Sequence, residues 1–136
     1  MTTLDEARAA LTQARSAYRR DMLWLRRRYG IIPAPEAHLT NGVLLAALDA
    51  IEKNDVASVE KAVQSFDTLH QDILARIAWD LIEHTKNSLK DTRHRQPELF
   101  EAKLKLWKQA SWAFTTARFR LVTAKYREAI RVATRI

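Results

Sequence analysis

Three arginines and a tryptophan near the N-terminus carry the chemistry with the clearest spacing. Arg20, Arg27 and Arg28 stand 4, 3 and 4 residues from Trp24, and on a helix those spacings make all three its surface neighbours. Guanidinium groups neutralise phosphates, and an indole stacks on a nucleobase, so such a cluster suits a nucleic-acid backbone. The competing reading is that Trp24 packs on another helix while the arginines are simply solvated.

A second set lies near the C-terminus. Lys105, Arg120, Arg127, Arg131 and Arg135 fall on one arc if residues 97–134 form a single helix, and Trp112, Phe119 and Tyr126 flank that arc. A basic stripe beside aromatic rings fits a polyanion groove. It is also what the solvated edge of an amphipathic helix looks like, where long cationic side chains cover apolar surface. Arg118 and Lys125 point towards the apolar side of the same helix, which suits a buried carboxylate partner, snorkelling or an interface.

Catalytic and metal constellations are weak by comparison. His70 and His84 fall on the apolar side of one helix, fourteen residues apart. That is roughly 21 Å along the axis, too far for one metal ion, and each reads better as a buried histidine with a local partner. Neither H-E-x-x-H nor Glu-x-x-His occurs. Asp72, Asp80 and Glu83 share a polar face that solvation explains without acid–base chemistry. With 2 Gly in the chain, no glycine-rich phosphate loop or nucleophile elbow is available. No catalytic residue, metal site or cofactor is expected, and the chain reads as a non-enzyme.

The elements that must carry these residues are helices. Leu4, Ala7, Leu11, Ala14, Tyr18, Met22, Leu25 and Tyr29 recur every three or four residues, with Thr3 and Glu6 as a capping box and Gly30 as a stop, predicting a helix over 3–29. Gly30–Ala37 contains Pro33 and Pro35 and reads as a linker. A short helix over 41–53, capped by Thr40, presents Val43, Leu44, Ala47, Leu48 and Ile51. Asn54 and Asp55 both end it and cap the next helix, 56–92, whose stripe holds Val56, Val59, Val63, Phe66, Ile73, Ile77 and Leu81. Thr92–Gln96 is a polar break. Pro97 suits the first position of a last helix over 97–134, whose apolar side includes Phe100, Leu104, Trp107, Phe114, Leu121 and Val132. At roughly 55 Å that helix either kinks or projects to meet a partner. The expected fold is all-α: a bundle of about four helices, the first, third and fourth long and one short, in a single helical domain over 1–136.

Composition agrees with that fold and narrows the partners. Within 136 residues there are 2 Gly and 3 Pro, too few for the turns a sheet protein needs, and no Cys, which removes disulfides and thiolate chemistry. The absence of Cys fits a cytoplasmic setting. The start, Met1–Glu6, is polar and acidic, unlike a signal peptide, and no apolar run reaches the length of a membrane span. Net charge is +7 and unevenly spread: +4 over 1–35, −3 over 36–96 and +6 over 97–136. Basic ends around an acidic middle suggest an anionic partner. The reading that follows is a non-enzymatic protein that associates with DNA or RNA through phosphate contacts without sequence-specific readout, on its own or as a small subunit of a nucleoprotein complex. The alternative is a protein-interaction module (inhibitor, immunity protein, chaperone or assembly subunit) that binds a protein partner or a second copy through its long helices. Binding to a membrane surface through a basic amphipathic helix ranks third.

Overall fold

The computed structural model describes residues 2–33, 37–120 and 123–136, with residues 37–40 described by backbone alone. Among the described residues there are five helices and no strand: α1 (Leu4–Tyr29), α2 (Ala37–Glu52), α3 (Val56–Arg95), α4 (Pro97–Arg120) and α5 (Thr123–Ala133). They form two compact units, Met1–His70 and Gln71–Ile136, whose boundary falls inside α3.

The local punctuation works as its chemistry requires. The Thr3 hydroxyl accepts a hydrogen bond from the Glu6 amide at 3.2 Å, and Gly30 closes α1 in the left-handed region at φ 67°, its amide donating to the Arg26 carbonyl. Asn54, at φ 56°, performs the same stop for α2: its amide donates to Ile51 and that of Asp55 donates to Ala50. Asp55 then caps α3 by accepting from both the Ser58 amide and the Ser58 hydroxyl. Those two donors hold the Asp55 carboxyl below the usual carboxylate range. This cap is therefore intact at neutral pH and is lost as pH falls through the lowered pKa.

In the first unit, Ala7, Leu11 and Ala14 of α1 are buried together with Ala47 and Ala50 of α2 and Val59, Ala62 and Phe66 of α3. The stripes expected for α1 and for this part of α3 therefore do line a core. Leu48 departs from expectation: it is exposed, as is Leu45. The small Ala50 takes the inward position instead, where close helix approach favours a short side chain. α2 begins at Ala37, four residues before the expected start, and the Thr40 cap lies outside the described side chains.

In the second unit, the helix expected over 97–134 is two helices. The rings of Phe114 and Tyr126 lie 5.8 Å apart, although twelve residues of continuous helix would separate them by roughly 18 Å. α5 therefore folds back along α4. The sequence contains the reason. Ala110, Ala113, Phe114 and Ala117 are buried on α4, and Tyr126, Ala129, Ile130 and Ala133 on α5. On one straight helix at 100° per residue these stripes would sit about 160° apart, facing opposite ways. Only a fold-back lets them bury each other. Leu121, assigned to the apolar side of a continuous helix, lies outside the described residues.

The polar break at Thr92–Gln96 contracts to Gln96. Thr92 is buried and its hydroxyl donates to the Ser88 carbonyl, so α3 runs on to Arg95 before Pro97 opens α4. The indole N–H of Trp107 donates to the Ile82 carbonyl at 3.1 Å, tying α4 to α3. One polar atom in this unit is buried without a hydrogen-bond partner among the described residues, the Ser111 hydroxyl. Removing an unsatisfied hydroxyl and restoring a better helix former favours the folded state. Ser111→Ala is expected to raise stability by about 1 kcal/mol, read as a higher Tm in thermal unfolding. A lower Tm would show that the hydroxyl is satisfied in solution.

Candidate nucleic-acid interface

The α1 cluster is assembled as its spacing requires. Arg19, Arg20, Arg27 and Arg28 line one surface groove together with Ser16, Leu23 and Trp24. All four arginines are exposed, and among the described residues none takes part in an ion pair. Unpaired guanidinium groups held on one rigid face are ready to exchange counterions for phosphates. Arg26, Arg27 and Arg28 also occupy the last turn of α1, where positive charge offsets the helix dipole. That accounts for some of the basicity at this end but not for Arg19 and Arg20, two turns earlier. Trp24 is half-buried, set edge-on against Tyr29 of its own helix at 5.2 Å and 86°. It is therefore less open than a free-standing indole, and Tyr29 fixes the orientation of the ring at the groove.

The C-terminal set is not brought together as one stripe. Lys105 and Arg120 are exposed on α4, Arg131 is exposed on α5, Arg127 is half-buried on α5 with interactions of its own, and Arg135 follows the end of α5. The single arc over 97–134 required a continuous helix, and the fold-back removes it. Tyr126, expected beside that arc, instead faces the buried side and packs on Phe114. Burial pushes its phenol above the ordinary value, Arg118 pulls it down and Asp72 raises it. Arg118 is exposed, and Lys125 pairs with Glu128 at 2.9 Å, so neither has a buried carboxylate partner in an ion pair. Trp112 and Phe119 are 74% and 90% exposed.

Three groups escaped the sequence reading or were misplaced by it. His84 is exposed, not on the buried side. His70 is buried as expected, and its partner is Asp21, 49 residues away: His70 Nε2 lies 2.6 Å from Asp21 Oδ2, with the Tyr18 ring edge-on to the imidazole at 6.0 Å. A carboxylate inside the Tyr18–Leu25 stripe was the available signal. Trp79 was also missed. It lies off the apolar stripe of α3 and lines a cleft with Phe114, Thr115, Arg118 and Phe119. Among the described residues no three metal-ligating side chains converge, and no helix is long and apolar enough to cross a membrane. Comparison of the chain with protein-family models, curated proteins and solved structures yields no match, so its function must be argued from these residues.

Proposed function

We propose that this protein is a non-enzymatic, basic helical protein that associates with nucleic acid through phosphate contacts, as a free protein or as a small subunit of a nucleoprotein complex. The observation that carries the reading is the α1 groove: Arg19, Arg20, Arg27 and Arg28 surround Trp24, exposed and without ion pairs among the described residues. Such a face supplies charge, guanidinium donors and one ring, with no Asn, Gln or carboxylate lining the groove to read adenine or cytosine edges, and phosphate binding is the form that charge best supports. By contrast, Lys53, Arg95 and Lys125 are each neutralised by a neighbouring carboxylate.

Titration of short labelled DNA and RNA, single- and double-stranded, by fluorescence anisotropy at two salt concentrations tests it. The expected result is binding that weakens steeply as salt rises, with little dependence on base sequence. Salt-independent binding, or none at low salt, removes the reading.

A protein partner is the second reading. The fold-back of α5 takes away the projecting helix that had motivated it. Leu45 and Leu48, exposed at 67% and 50% on successive turns of α2, give it a different footing. Light scattering that finds a strict monomer, unchanged by Leu45→Ser and Leu48→Ser, counts against self-association through that face.

A further inference from the structure

Among the described residues, the exposed large apolar side chains sort by unit. In the first they are aliphatic: Leu23, Ile32, Leu45 and Leu48. In the second, apart from Leu99, they are aromatic: Trp79, Trp112 and Phe119. Trp79, Phe114 and Phe119 line one open cleft together with Thr115 and Arg118. The cleft offers about 580 Å³, a size typical of small-ligand sites. Trp79 and Phe114 are in contact, with centroids 5.5 Å apart, and Phe114 is held in turn by Tyr126 at 5.8 Å. The Trp79 side of the cleft is therefore braced.

We propose that this cleft takes an unpaired base of a single strand between Trp79 and Phe119, with the adjoining phosphate on Arg118. Three observations favour that occupant. Flat rings are what base stacking needs, and a stack tolerates any base. The cations follow the same helix: Lys105, Lys108 and Trp112 lie on the Phe119 side of α4, with Arg118 and Arg120 beside them, and lysine is depleted in the cores of protein–protein interfaces. The charge is also directional. Asp72, Asp80 and Glu83 are exposed on α3 near Trp79, so the strand's phosphates run along α4 and only the base reaches across to α3.

This inference rests on the nucleic-acid reading and narrows it to single strands. Its test compares wild type with Phe119→Leu and Phe119→Trp, because Phe119 is 90% exposed and its replacement leaves the packed interior untouched. The probes are a labelled single-stranded oligonucleotide, the corresponding duplex, and vesicles containing phosphatidylserine. Phe119→Leu keeps the side chain apolar and removes the flat face, so single-strand affinity is expected to fall about tenfold, while Phe119→Trp retains it and duplex binding is unchanged. Equal losses on single strand and duplex, an unaffected Phe119→Leu variant, or vesicle binding that depends on Phe119 would each overturn the proposal. Wild-type protein that binds duplex and single strand alike, with a steep salt dependence, would overturn it too and leave the phosphate-binding reading standing. Absence of any nucleic-acid binding would remove both.

Discussion

Replacing Arg20, Arg27 and Arg28 together by Gln is expected to reduce the salt dependence of nucleic-acid binding by the share of three phosphate contacts. Each phosphate neutralised by a basic side chain contributes about 0.9 to the slope of log affinity against log salt on duplex DNA. Three contacts then contribute about 2.7. Over a fourfold rise, from 50 to 200 mM salt, wild type should lose about 40-fold more affinity than the triple variant. Glutamine is chosen because its helix propensity is close to that of arginine, and because all three positions are exposed, so no packing is lost. The cost that remains is the favourable charge of Arg27 and Arg28 in the last turn of α1, about 0.5–1 kcal/mol in stability, which thermal unfolding reads separately. A triple Lys variant should keep the slope, since phosphate neutralisation requires the charge and not the guanidinium plane. If the Gln variant binds with the wild-type slope, the α1 groove does not touch phosphate, and the basic side chains of α4 and α5 become the place to look. Trp24→Ala is a useful companion: it should weaken single-strand binding while leaving the slope alone, because it carries no charge.

What the sequence revealed, and what it concealed, follows from the range over which each signal acts. α1 and the α2–α3 junction were legible because their ends are set by single residues with local jobs: Thr3 accepting from Glu6, Gly30 and Asn54 at positive φ, Asp55 accepting from Ser58. The α1 groove was legible for the same reason, since helical spacing alone makes Arg20, Arg27 and Arg28 neighbours of Trp24. The break between α4 and α5 was not, because no Gly or Pro separates Arg120 from Thr123. Its cause is tertiary: two alanine-rich stripes that face opposite ways on a straight helix can only bury each other if the chain turns back. That phase reversal is present in the residue numbers and is the better guide than helix length. The loss of the C-terminal basic stripe follows directly, because an arc drawn across the turn joins residues of two helices. The Trp79 cleft and the Asp21–His70 pair were hidden because each joins residues from separate helices.

Breaking the Asp21–His70 pair from one side should be strongly destabilising to the first unit. Both side chains are buried, at 2% and 5% exposure, and the atoms they share lie 2.6 Å apart. A hydrogen bond to a charged acceptor contributes about 1.5–3 kcal/mol in such a setting, and breaking a buried pair from one side costs about 3–5 kcal/mol. His70→Ala removes the imidazole donor from Asp21 and opens space beside the Tyr18 and Phe66 rings, which themselves lie 6.2 Å apart. It is therefore expected to destabilise by about 3–5 kcal/mol, a large share of the roughly 5–15 kcal/mol available to a domain. Asp21→Asn keeps the shape and one acceptor, so it should cost less than His70→Ala. Asp21→Leu combined with His70→Leu removes both polar groups at once and should recover most of the loss, because no charge is then left buried. Urea unfolding of the three variants measures this. A double variant no more stable than His70→Ala would mean that the loss comes from packing around the imidazole and not from the broken pair.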